Sequence, residues 1–124
     1  MALSTSIQPR KQRKARYQAP HHLRTKLLGA PLAPELREKY GGRRTVRVVT
    51  GDTVRVTRGD FAGDEGLVDI VDVKNSKIVV HGVAITKADG TEKPRKIDPS
   101  NVMVTKLNLK DPKRAERLAA RGGA

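Results

Sequence analysis

Charge is segregated along this chain, and that segregation constrains which part of it can fold. Residues 1–47 carry 12 Lys and Arg against 2 Asp and Glu, residues 48–107 carry 9 of each, and residues 108–124 carry 5 against 2. Segments of high net charge and few apolar residues cannot bury enough surface to form a core. We therefore predict a folded module over residues 48–107, between a basic N-terminal extension (1–47) and a basic C-terminal helix and tail (108–124).

The neutral middle has the pattern of short β-strands. Polar and apolar residues alternate with period two over residues 53–57. This alternation directs Val54 and Val56 to a buried face and Arg55 to solvent. Asp89-Gly90 is a typical hairpin dipeptide. Further β-rich runs cover residues 67–73, 77–81, 84–87, 91–97 and 101–105, and so many short strands predict a mainly β fold, a small barrel.

The two flanks contain helix signals. Proline suits the first position of a helix, and Pro20, Pro34 and Pro112 each begin a run that ends near glycine. We expect short helices from residue 20 to near 29, over 34–40 and over 113–120. Residues 1–18 have no apolar periodicity and hold five cations from Arg10 to Arg16, so this arm is predicted to be disordered in isolation.

Composition excludes several classes of protein. Cysteine is absent, which removes disulfides, thiolate catalysis and cysteine-ligated zinc. No apolar run is long enough to cross a membrane, and we expect no secretory signal in the first 18 residues. The sequence has neither a Ser-His-Asp arrangement nor a phosphate-binding loop pattern. We predict a cytoplasmic protein that is not an enzyme and takes no cofactor or small-molecule substrate.

Two groups of potential metal ligands receive the simpler interpretation. His21 and His22 are adjacent, so their side chains point in different directions, and no further ligand is near them in sequence. Five carboxylates follow the first predicted strand: Asp60, Asp64, Glu65, Asp69 and Asp72. Nothing in this segment indicates the buried pocket that would raise a carboxyl pKa. We expect these acids to balance barrel cations, and we predict no metal site.

The net charge of +13 indicates a polyanionic partner, either nucleic acid or an anionic membrane surface. Membrane-surface binding usually needs an apolar face beside the charge, and the first 18 residues offer only Leu3 and Ile7. We therefore predict nucleic acid and no membrane. Only Tyr17, Tyr40 and Phe61 are aromatic, so base stacking is not expected to be the main contribution.

Residues 51–68 hold the densest pattern in the chain. Gly59, Gly63 and Gly66 separate a strand, a loop and a second strand. Such glycines allow a sharp turn and the close approach of a phosphate backbone. Phe61 lies at the tip of the loop, where its ring either contacts RNA or covers the end of the barrel, and the spacing leaves both open.

This segment resembles the KOW motif, a short part of an SH3-like barrel found in ribosomal proteins and in some transcription elongation factors. The matching residues are Gly51, Asp52, Val54, Val56, Gly59, Gly63 and Gly66. Where the motif has a basic residue before its second glycine, this chain has Ala62. The resemblance implies an SH3-like barrel whose partner is RNA or an RNA-containing machine.

The flanking sequences resemble the large-subunit ribosomal protein family numbered twenty-four, in its archaeal form. The similarity is carried by residues 13–24, 31–40 and 98–102, and it covers roughly residues 10–118. It implies a structural protein that binds large-subunit ribosomal RNA, enters assembly early and lies near the polypeptide exit tunnel. Neighbouring ribosomal proteins are the other implied partners, and no homo-oligomer is expected. The alternative, a KOW-type elongation factor, places an α/β domain before the barrel, which this basic extension cannot build.

Charge and resemblance together predict the residues that bind RNA. Arginine forks accept two phosphate oxygens at once, which favours the basic arm as the main contact. The predicted residues of the extension are Arg10, Lys11, Arg13, Lys14, Arg16, Tyr17, His21, His22, Arg24, Lys26, Arg43 and Arg44. Those of the barrel are Arg55, Arg58, Phe61, Lys87, Lys93, Arg95 and Lys96. For each barrel cation a solvated surface charge is the alternative, because the middle segment is neutral.

Overall fold

The structure, a computed structural model, describes residues 3–122. Its helices are α1 (Pro9–Gln18), α2 (His21–Arg24), α3 (Pro34–Lys39) and α4 (Pro112–Gly122), with 3-10 turns at Thr25–Leu28 and Pro99–Asn101. Its strands are β1 (Gly29–Pro31), β2 (Thr45–Arg47), β3 (Thr53–Val56), β4 (Glu65–Asp72), β5 (Lys77–Thr86), β6 (Glu92–Ile97) and β7 (Val102–Lys106). The predicted mainly β fold, with short helices before the barrel and one helix after it, is confirmed.

Five strands form one antiparallel sheet in the order β6-β5-β4-β3-β7, and β1 pairs with β2 in a separate ribbon. The register shifts within β3, within β4 between Val68 and Ile70, and within β5 between Val79 and Ala84. Such irregularities bend strands and increase their twist, which lets a short sheet curl into a barrel-like shape. The predicted strands 77–81 and 84–87 are one strand, β5, which continues through this irregularity.

The core lies on the concave side of this sheet. Val54 and Val56 are completely buried while Arg55 between them is exposed, as the period-two pattern predicts. The basic flanks also supply buried side chains to the same cluster: Ala30, Leu32, Tyr40, Val46 and Leu118. Packing therefore extends beyond the neutral middle, because a charge count does not register the few apolar residues within a basic segment.

Two parts of the N-terminal extension differ from the sequence prediction. The arm predicted to be disordered contains the helix α1, none of whose residues is buried. Pro9 occupies its first turn, and the Lys, Arg, Gln and Ala that follow are good helix formers. Apolar periodicity detects only helices that bury a face, so it could not detect this one. Strands β1 and β2 were also missed, since three residues each are too few for a period.

The helix α4 is fixed to the barrel by a buried ion pair. Asp52 is completely buried, and its two carboxylate oxygens each accept a 2.7 Å hydrogen bond from the Arg114 guanidinium. Asp52 also accepts from the backbone N–H groups of Val49 (3.1 Å) and Asn108 (2.9 Å). Arg114 donates further to the carbonyl oxygens of Asn108 and Arg47. Each charge is thus surrounded by partners, as burial requires.

Leu118 stands one helical turn after Arg114 on the same face of α4 and is buried in the core. The sequence left open whether this helix binds RNA or packs on the barrel. The structure shows that it packs, through this face.

We expect Arg114→Met to lower the free energy of unfolding by about 3–5 kcal/mol, because it leaves the buried Asp52 carboxylate without its cation. Urea denaturation of the full chain measures this. Arg117→Met, which removes an exposed cation from the same helix, should change it by less than about 0.5 kcal/mol. Equal losses in the two variants would contradict a stabilising role for the pair.

Gly66→Ala should also destabilise the fold, since a Cβ at this position would lie 2.5 Å from the backbone carbonyl oxygen of His81 in the adjacent strand. Two strands would have to separate, at a cost of about 1–3 kcal/mol. Gly29→Ala is the matched control, because its Cβ would meet nothing within 4 Å and its φ is −72°. A thermal midpoint that falls for Gly66→Ala alone is the expected result, and an unchanged midpoint would show that the strands tolerate a side chain.

Candidate nucleic-acid interface

The helix α1 presents an unbroken positive charge to solvent. Five of its ten residues are cations, all exposed, and it contains no acid. They are Arg10, Lys11, Arg13, Lys14 and Arg16. Like charges this close repel one another in the free protein, and a phosphate backbone relieves that repulsion.

One face of α1 forms a wall of a cleft of about 610 Å³, here named the α1 cleft. Arg13, Arg16 and Tyr17 stand three and four positions apart and therefore share this face. The other wall comes from α2, the following 3-10 turn and the turn between β4 and β5: Arg24, Leu27, Lys74, Asn75 and Ser76. The structure thus brings together four of the predicted RNA-binding residues with Lys74, which the sequence analysis did not include among them.

Arg24 holds the α1 cleft together. Its guanidinium donates from Nε to the carbonyl oxygen of Ala19 (2.7 Å), from Nη1 to that of Lys74 (2.6 Å) and from Nη2 to that of Tyr17. These bonds join the end of α1 to the turn between β4 and β5. Arg24 was predicted to contact RNA, and in this structure its side chain positions the arm.

The remaining predicted residues of the extension lie outside the α1 cleft. His21 and His22 are exposed on α2, and Lys26 is partly exposed in the 3-10 turn. Arg43 and Arg44 lie between α3 and β2, and Arg43 donates to the carbonyl oxygen of Thr45. Among residues 3–122 no group of histidines and carboxylates is arranged to hold a metal ion.

A second, smaller cleft of about 220 Å³ lies between the glycine-containing loop and β6, and we name it the loop cleft. It brings together four predicted residues that are distant in sequence: Arg58, Phe61, Arg95 and Lys96. The Phe61 ring is partly buried and packs against the core. Of the two interpretations left open for this ring, the structure supports the one in which it covers the end of the barrel.

Carboxylates balance part of the charge around the loop cleft. Lys96 Nζ lies 3.2 Å from Asp72 Oδ2. The side-chain amide and backbone N–H of Asn75, followed by Lys96, hold the pKa of Asp72 below its usual range. Asp72 therefore remains charged and paired, as the sequence analysis expects for the acids of this segment.

Asp98 plays a similar part at the opposite wall of the loop cleft. Partial burial raises the pKa of its carboxyl, but hydrogen bonds from the Ser100 N–H and hydroxyl outweigh this, with help from Lys77. The net effect is a lowered pKa. Asp98 thus caps the 3-10 turn Pro99–Asn101 and pairs with Lys77 at 3.5 Å.

Three predicted barrel cations lie in neither cleft. Arg55 is exposed on β3, opposite Glu65 of β4. Lys87 and Lys93 are exposed where β5 and β6 meet at their hairpin. Their positions agree with solvated surface charges as well as with RNA contacts.

The motif glycines have different roles. Gly59 and Gly63 have φ of +94° and +97°, and a Cβ on either would meet nothing within 4 Å. They are required for the turn, and the space above them is open to a partner. Gly66 instead lies against β5, so it serves packing between strands. Close approach of a phosphate backbone is therefore possible at the loop tip and not at Gly66.

No helix within residues 3–122 has the length and apolar character to cross a bilayer.

Comparison with known proteins gives a consistent family. The model that describes the eukaryotic ribosomal proteins L26 and their archaeal counterparts, numbered twenty-four, matches residues 6–121. The chain is 67% identical to "Large ribosomal subunit protein uL24" of Methanoculleus marisnigri over 124 residues, all of both chains. It is 60% identical to the protein of the same name from Methanoregula boonei over 94% of this chain and 95% of that one. For the Methanocorpusculum labreanum protein the identity is 61% over 95% and 97%.

These matches confirm the resemblance drawn from the KOW segment and its flanks, in place of the elongation-factor alternative. The chain belongs to the family formed by the ribosomal proteins L26 of eukaryotes and the proteins numbered twenty-four of archaea, whose members are structural, non-enzymatic proteins of the large ribosomal subunit in the cytoplasm.

Proposed function

We propose that this chain binds large-subunit ribosomal RNA mainly through phosphate contacts made by α1. The observation that carries the proposal is a ten-residue helix with five exposed cations, no acid and no buried side chain. Such a helix contributes nothing to the core. Its charge pattern fits the phosphate backbone of an RNA helix, which proteins recognise chiefly by shape and backbone.

The attachment of α1 strengthens this mode of binding. Arg24 ties the C-terminal end of α1 to the barrel through three carbonyl oxygens. A contact surface that is ordered before binding loses less conformational entropy when the complex forms. Counterions released from the RNA supply the favourable free energy, so affinity should fall steeply with salt.

The loop cleft is the second proposed contact, through Arg58, Arg95 and Lys96. Its contribution is smaller than that of α1, because Asp72 and Asp98 already lie against the cations there. Direct pairing with a carboxylate lowers the gain from a phosphate at the same site. Arg55, Lys87 and Lys93 stay in the proposal as peripheral contacts.

We further propose early entry into subunit assembly, a final position near the polypeptide exit tunnel and contacts with neighbouring ribosomal proteins. The support for these three points is the family resemblance. The structure adds one physical reason for an early role. A protein with cationic clefts on two faces can hold two RNA segments together while the RNA folds around it.

Replacing Arg13, Lys14 and Arg16 with alanine should flatten the salt dependence of RNA binding. Each lost phosphate contact reduces the slope of log affinity against log salt by about 0.7–0.9, so the triple variant should lose about 2–3 units of slope. Filter binding to a transcript of the 5′ portion of large-subunit ribosomal RNA measures it. The matched control, Lys106, Lys110 and Lys113 to alanine, removes the same charge from the opposite end. Equal slopes in both variants would contradict a phosphate clamp on α1.

The full chain should also remain on the large ribosomal subunit through a high-salt wash, because contacts on two faces would have to break together. Sucrose-gradient sedimentation of a lysate, with detection by antibody, tests this. Migration with RNA polymerase instead of the subunit would favour the elongation-factor alternative.

A further inference from the structure

Tyr17 is an unusual residue for a surface that binds only phosphates. Its side chain is 80% exposed. The other two aromatic side chains of this sequence are occupied by the fold, since Tyr40 is 9% exposed and Phe61 packs against the core. An exposed aromatic ring costs free energy in water unless a partner covers it. The ring therefore has a role that the phosphate contacts of α1 do not explain.

The surroundings of this ring identify the chemistry of that partner. Tyr17 lines the α1 cleft beside Arg13 and Arg16, with Lys74 across the cleft and Leu27 among its lining residues. Cations, an aromatic face and an apolar side chain in one concave site are the groups that bind a nucleotide. The ring stacks on the base, and the cations bind the phosphates on either side. A volume of about 610 Å³ lies within the range of small-molecule sites.

The backbone of Tyr17 is also held in place. Arg24 donates to its carbonyl oxygen and, with another nitrogen, to the carbonyl oxygen of Lys74 on the opposite wall. The two walls of the cleft therefore keep a defined separation before RNA arrives. A preformed cleft suits one inserted base better than a flat duplex surface.

We propose that the α1 cleft receives a single unpaired nucleotide that projects from an RNA helix. Its base stacks on the Tyr17 ring, and its flanking phosphates lie on Arg13, Arg16 and Lys74. This inference rests on the proposed RNA-binding function and deepens it. It predicts that the contact site on RNA is a helix interrupted by a bulged or flipped-out residue.

The test uses the full chain and two RNA hairpins that differ in one chemical group. Both carry a single-residue bulge in the same helix, with an adenine at the bulge in one and an abasic ribose in the other. Backbone charge and flexibility are matched, so the affinity ratio between them isolates the base. Stacking of one base on an aromatic side chain predicts a preference of about 5- to 100-fold for the adenine bulge.

The variants then assign that preference to one residue. Tyr17→Ala should bring the ratio to about one, and Tyr17→Phe should keep it, because the ring is retained. Arg16→Ala should weaken binding to both hairpins and leave the ratio in place.

Two negative results have different meanings. If the wild-type chain binds both hairpins equally, or if the preference survives Tyr17→Ala, the nucleotide site is wrong while phosphate binding by α1 stands. If the wild-type chain binds neither hairpin at low salt, the RNA-binding function itself fails, and this inference fails with it.

Discussion

The buried pair of Asp52 and Arg114 is the interaction on which the arrangement of this protein depends. Moving two charges out of water is costly, and an interior ion pair is tolerated only when its remaining hydrogen-bonding groups are satisfied. Here the loop before β3, the segment after β7 and the helix α4 all supply partners. Three segments distant in sequence are therefore fixed at one point. The Gly-Asp of the KOW-like segment thus serves in this chain as the receptor for the C-terminal helix.

Charge is used in two different ways in the two halves of the molecule. The ion pairs found within residues 3–122 join cations of the barrel and of α4 to carboxylates of the barrel, and none involves α1. Paired charges orient strands and turns and have little left to offer a polyanion. Within the described part of the chain the cations of α1 have no such partners, so they keep their full field for RNA. The neutrality of residues 48–107 is therefore a property of the scaffold, and the excess charge belongs to the contact surface.

Much of this could be predicted from local sequence patterns, and the errors share one cause. The strand at residues 53–56, the helices that begin at Pro34 and Pro112 and the exposure of Arg55 follow from periodicity and caps, which act over a few residues. The pairing of Asp52 with Arg114, and that of Arg24 with the β4–β5 turn, join residues 62 and 50 positions apart. Such contacts depend on the tertiary fold, and single residues give no periodic signal for them. Lys74 was missed for the same reason, since only the fold carries it to α1.

The position of α1 links the scaffold to the proposed function. A solvated basic helix of ten residues is marginal alone, because nucleation is costly and its like charges repel. Arg24 shifts that balance by bonding two carbonyl oxygens at the C-terminal end, where helix carbonyls lack intrahelical partners and a cation is favoured. The same guanidinium reaches the carbonyl oxygen of Lys74 on the barrel. One arginine thus both stabilises the helix and sets its direction relative to the core. An RNA that binds α1 is thereby oriented on the barrel, even though the barrel itself contributes less charge to the contact.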